Sequence, residues 1–107
     1  MKFYSKLYVG EKAQKQRRKI LYKLKINAGL YNVYLITLAA NGQDIFDIVS
    51  SAFLKQRAFR RTLPTVVGIA CGYEEAVALV IQIVEETYRE TGSMNVPEYL
   101  AQKAKKE

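Results

Sequence analysis

The sequence predicts an α/β domain of order βαβαβα(α), with a three-stranded, mainly parallel sheet, three main helices and a short C-terminal helix. Three observations predict it. Short apolar runs rich in β-branched and aromatic residues alternate with segments of helical period. The links between successive strand candidates are long enough for crossover helices. Two prolines, no internal repeat and no low-complexity stretch point to one unit over residues 1–102, followed by a basic, solvated tail at 103–107.

Phe3–Val9 alternates, placing Phe3, Leu7 and Val9 on one face of a strand and Tyr4, Lys6 and Tyr8 on the other. Gly10-Glu11 then opens a basic helix to about Lys25 with an inward stripe of Ala13, Ile20, Leu21 and Leu24. Arg17 falls on the apolar side of that helix and must snorkel or find an acid. Asn27-Ala28-Gly29 stops it. Leu30–Ala40 is an almost continuous apolar run, the mark of a central strand covered on both faces and usually parallel. Asn41-Gly42 turns the chain, and Asp44 caps a second helix burying Ile45, Ile48, Val49, Ala52 and Phe53 and fraying towards Arg61. Thr65–Cys71 is a third strand. Gly72 turns it into the longest helix, about Tyr73–Thr91, with Ala76, Leu79, Val80, Ile83, Val84 and Thr87 inside and Gly92 as its C′ residue. Asn95-Val96-Pro97 starts the last helix. In strand order 1-2-3 both crossover helices share one sheet face, so the other needs cover from the last helices or from a second copy of the chain. A homodimer is therefore expected.

The chain has 107 residues, half of them apolar and a quarter charged, which suits a globular domain. No apolar run approaches the roughly 18 residues that span a bilayer, and no secretory signal is expected at the N-terminus. One cysteine allows no intrachain disulfide and fits a reducing, cytoplasmic setting. With no histidine, His-dependent triads, histidine metal ligands and imidazole acid–base catalysis are excluded. Neither a cofactor nor a metal is expected, and the composition leans away from an enzyme. The net charge of +7 is unevenly placed: residues 1–25 hold nine Lys or Arg against Glu11 alone, while residues 74–98 hold six acids against Arg89. A basic side and an acidic side follow.

The stretches Phe3-Tyr-Ser-Lys-Leu-Tyr-Val-Gly-Glu11, Val33-Tyr-Leu-Ile-Thr-Leu-Ala39 and Val66-Val-Gly-Ile-Ala-Cys-Gly-Tyr-Glu-Glu-Ala76, with the ending Val96-Pro97-Glu98-Tyr99-Leu100, resemble a family of small uncharacterised proteins from anaerobic Gram-positive bacteria. The resemblance covers nearly the whole chain and implies no activity, cofactor or functional residue.

Two groups of residues are candidates for a site. The first gathers at strand carboxyl ends, where α/β sheets bind ligands: Asn41, Gly42 and Asp44 after the central strand, Cys71 and Gly72 after the third. A small anion there would use backbone N–H groups and a helix N-terminus, but Glu74 and Glu75 oppose a phosphate. Cys71 reads better as a small buried residue than as a nucleophile. The second group is basic: Lys12, Lys15, Arg18, Lys19 and Lys23 around Tyr22, with a further cluster at Lys55, Arg57, Arg60 and Arg61. Cations around an aromatic suit nucleic-acid phosphates and a stacked base; a solvated face or an acidic protein partner is the plainer account. The leading expectation is an interaction module acting as a homodimer, with nucleic-acid binding and a small-anion site as alternatives.

Overall fold

Residues 2–28, 30–39 and 45–105 are described in the computed structural model of the chain. Strand β1 (Phe3–Val9) leads into α1 (Glu11–Gln14) and α2 (Arg17–Lys25). Strands β2 (Val33–Leu38) and β3 (Phe46–Ser50) follow, then a 3₁₀ turn (Ser51–Lys55) and α3 (Arg57–Thr62). Strand β4 (Val66–Cys71), α4 (Tyr73–Thr91) and α5 (Val96–Lys105) complete the order. The alternation of β1 is as expected: Phe3, Leu7 and Val9 join one apolar cluster, and Tyr4 and Tyr8 join the other.

The architecture is mixed α/β, but the sheet has four strands in the order β1-β4-β2-β3. Only β1 and β4 are parallel; β2 runs antiparallel to both its neighbours. The expected helix from Asp44 therefore gives way to a strand, a 3₁₀ turn and a short helix. Ile45, Phe46, Ile48 and Val49 are β-branched or aromatic, and they pair with β2 from Leu38–Phe46 to Tyr34–Ser50. That pairing places β2 between β3 and β4. The apolar run through β2 is central, as its burial demands, but its direction is reversed.

The long basic helix is broken at Lys15-Gln16. A continuous helix would have turned Arg17 towards the sheet; the break makes it the exposed first residue of α2, while Ala13, Ile20 and Leu24 remain buried. Helices α1 and α2, the 3₁₀ turn and α3 pack on one sheet face through Ile20, Leu24, Leu54 and Phe59 against Val33, Leu35, Val66 and Ile69. Helices α4 and α5 cover the other through Ala76, Leu79, Ile83, Val96 and Leu100 against Tyr8, Ile36, Val67 and Ala70. The result is a three-layer α/β/α sandwich.

Helix α4 spans the expected residues and ends at Gly92 in the left-handed region. Gly72, with φ 91°, turns β4 into α4 in a conformation that side chains rarely adopt. Helix α5 continues to Lys105, and Lys103, expected in a solvated tail, lies inside it and reaches Glu86. Among the described residues no helix is long and apolar enough to cross a membrane.

Candidate functional site

The two groups of candidate residues meet different fates. At the carboxyl ends of parallel β1 and β4, helices α1 and α4 begin side by side. The anion-accepting position there is filled by the chain itself. The Glu75 carboxylate accepts hydrogen bonds from the backbone N–H groups of Lys12 and Cys71. Gly72 donates its N–H to the carbonyl of Asn32 at 2.7 Å, so that group is spent as well. Burial pushes the Cys71 thiol above its ordinary range and nearby Glu75 pushes it further, against a smaller opposing pull from Lys12.

Asn41, Gly42 and Asp44 lie outside the described residues. Their flanks are informative: Ala39 donates to the carbonyl of Ile45 at 3.0 Å, next to Leu38 and Phe46. Because β2 is antiparallel to β4, Thr37 lies opposite Val66 and Val33 opposite Cys71. The end of β2 that leads to residues 40–44 is therefore the end away from Gly72. The expected neighbourhood of the two segments required a parallel pair.

Close packing around Glu75 is testable. A Cβ at Gly10 would lie 2.5 Å from the Glu75 carboxyl carbon. Gly10→Ala is expected to expel that carboxylate and to cost about 1–3 kcal/mol, the penalty for leaving partly buried N–H donors unpaired. The double variant Gly10→Ala/Glu75→Ala should cost little more than either single change in thermal denaturation. Additive losses would show that the two residues do not share this contact.

The basic residues converge. Lys12, Lys15, Arg17, Arg18, Lys19, Lys23 and Lys25 lie on α1, α2 and the turn between them, and Lys55, Arg57, Arg60 and Arg61 lie on the 3₁₀ turn and α3. All these elements form the same outer layer of the sandwich, with Glu11 as the only acid on them. The opposite layer carries Glu74, Glu75, Glu85, Glu86, Glu90 and Glu98. Among the described residues Lys103–Glu86 is the only ion pair, so no cation of the basic layer forms one with another described residue. Arg60 differs from the rest, because its guanidinium donates to the Leu54 carbonyl at 2.6 Å and holds α3 to the 3₁₀ turn. Tyr22 is 63% exposed on α2. Phe53, expected inside a helix, is instead half exposed in this layer beside Phe59, with ring centroids 5.6 Å apart. Tyr31, between α2 and β2, is almost fully exposed; it went unnoticed in a run read wholly as strand, although β2 starts only at Val33.

Among the described residues no three His, Cys, Asp or Glu are grouped to hold a metal ion. The fold and site define a class: a small α/β/α sandwich with one strongly cationic layer. No protein-family model, curated protein or solved structure matches the chain.

Proposed function

We propose that the chain is a binding module whose basic layer holds a nucleic-acid backbone. The observation that carries this reading is the convergence of two cationic segments, some thirty residues apart in sequence, on one layer without ion pairs among its described residues. Unpaired cations on rigid elements release counterions when phosphates replace them, and that release drives sequence-independent binding. Tyr22 and Phe53 add exposed rings among the charges, suited to stacking on unpaired bases. Arg18, Lys19 and Lys23 on α2 and Arg57 and Arg61 on α3 serve as phosphate contacts, while Arg60 positions α3.

Fluorescence titration with single-stranded and duplex oligonucleotides at two salt concentrations tests the reading. With these five phosphate contacts, duplex affinity should fall roughly 500-fold between 50 and 200 mM salt. Arg18→Glu/Lys19→Glu should weaken binding at least tenfold and flatten the salt slope, with unchanged thermal stability. Absence of binding at the lower salt would overturn it.

A further inference from the structure

We infer that a second copy of this chain docks along β3 and the neighbouring flank of α4, extending the sheet through a two-fold axis. The two flanks of α4 differ. Glu86 on one flank is held by Tyr99 and Lys103 of α5, and α5 packs on towards β1. The other flank faces β2 and β3, where Tyr73 meets Tyr34 edge-to-face at 5.8 Å and Val80, Val84, Phe46 and Ile48 join one apolar cluster. At 100° per residue, Tyr73, Val77, Val80, Ile81, Val84 and Tyr88 form one stripe on that flank with no charged member. Tyr73 is 57% exposed, Ile81 51% and Tyr88 60%.

An aromatic side chain offers roughly 150–250 Å² for burial, so the two tyrosines alone leave about 200 Å² uncovered. Ile81, the half-buried valines and the outer side of β3 extend this patch towards the roughly 800 Å² that each partner of a stable complex contributes.

The two sheet edges also differ. β1 pairs irregularly with β4, its register slipping between Phe3 and Tyr8, which spoils it as a template. β3 pairs with β2 in unbroken register, contains neither Pro nor Lys, and carries Asp47 as its one charge. The Ala39–Ile45 bond sets the alternation of this ladder and leaves the N–H groups of Phe46 and Ile48 facing the open edge. Two antiparallel copies of β3 centred on Ile48 satisfy these groups reciprocally and give one eight-stranded sheet. Antiparallel pairing of identical edges requires a two-fold axis perpendicular to the sheet. Equivalent layers then fall on the same side, so the α4 stripes face each other across the axis and the two basic layers form one surface of doubled length.

Light scattering after size exclusion should give a dimer mass for the wild-type chain at micromolar concentrations. Ile81→Glu and Tyr88→Lys, both exposed and therefore compatible with folding, should each raise the dissociation constant at least tenfold with an unchanged circular dichroism spectrum. Hydrogen exchange at the Phe46 and Ile48 amides should be slow in the wild type and fast in Ile81→Glu. A wild-type monomer at roughly 100 μM, a dimer indifferent to both substitutions, or growth into larger species would overturn the inference. Oligonucleotide binding by a monomer would leave the basic-layer reading intact, since that reading does not depend on this interface.

Discussion

Leu24→Ala should lower stability by about 3 kcal/mol, within the 2–5 kcal/mol range for truncating a buried leucine. Leu24 is fully buried in the cluster that joins α2 to β1, β2 and β4. Its removal takes away the transfer free energy of the lost methyl groups and leaves a cavity in that cluster, whose sheet side cannot follow it inwards. For a domain of this length the midpoint of thermal unfolding should drop by roughly 10–15 °C. Tyr22, two residues earlier and on the outward face, supplies the contrast. Tyr22→Ala should change stability by less than about 0.5 kcal/mol. In the proposed function it should weaken single-stranded oligonucleotide binding by about 1–3 kcal/mol, the worth of one stacked base. Equal destabilisation by the two changes would mean that α2 is not rotated as described.

Glu86 is the second position of large effect. Its carboxylate Oε2 accepts from the hydroxyls of Tyr8 and Tyr99 and from Lys103 Nζ, the last two at 2.8 Å. Lys103 Nζ also lies 4.5 Å from the centre of the Tyr8 ring and donates to its hydroxyl at 2.9 Å. Burial alone would raise the Glu86 pKa. The hydrogen bonds from Lys103, Tyr8 and Tyr99 and the Lys103 charge outweigh it and hold the carboxyl below its ordinary range. A group whose pKa is depressed on folding contributes stability above its unfolded pKa and loses it as pH falls through the folded value. Glu86 therefore supports the fold at neutral pH and fails it in acid. Tyr99, pushed up to about 12 by burial and by its bond to Glu86, behaves oppositely, its contribution fading as pH rises from about 10 towards that value. Tyr8 is raised further by the same causes. Glu86→Gln should cost about 2–3 kcal/mol at pH 7, since it removes a charged acceptor and leaves Lys103 unpaired. It should also flatten the acid limb of a plot of unfolding midpoint against pH. An unchanged acid limb would assign that limb to other carboxylates.

The sequence disclosed most where pattern and burial agree. β1 alternates because each face meets its own helical layer, and α4 repeats at 3.6 residues because one side of it lies on the sheet. β3 escaped because Ile45, Ile48, Val49, Ala52 and Phe53 fit helical spacing as well as they fit a short strand. The telling signal was Asn41-Gly42 between two β-branched runs, a hairpin mark, outweighed by the apparent cap at Asp44. From that single choice followed the missing strand and the wrong direction of β2, since a central strand is apolar whichever way it runs. Of the site, the charges were legible but their meeting was not. Residues 11–25 link β1 to β2 and residues 51–62 link β3 to β4, and only the strand order brings both links to the same face. The filling of the carboxyl end by Glu75 was hinted at by its charge, but its return to Lys12 depends on the parallel β1–β4 pair.

The place of β1 carries a consequence for how the chain acquires its structure. Among the described residues its only partner in the sheet begins at Val66, and Tyr4 and Tyr8 find Leu100, Glu86 and Lys103 at separations of 78 to 96 residues. Of these four strands, the one synthesised first is thus among the last to be paired. β2 and β3 are close neighbours in sequence and can zip early, whereas β1 must stay extended and unsatisfied until β4 arrives. Contacts of such long span raise the entropy lost before any bond rewards it, which slows folding. Refolding should show the β2–β3 hairpin protected first and the β1 amides last. During synthesis, Tyr4 and Tyr8 wait for partners until nearly the whole of this sequence has been made.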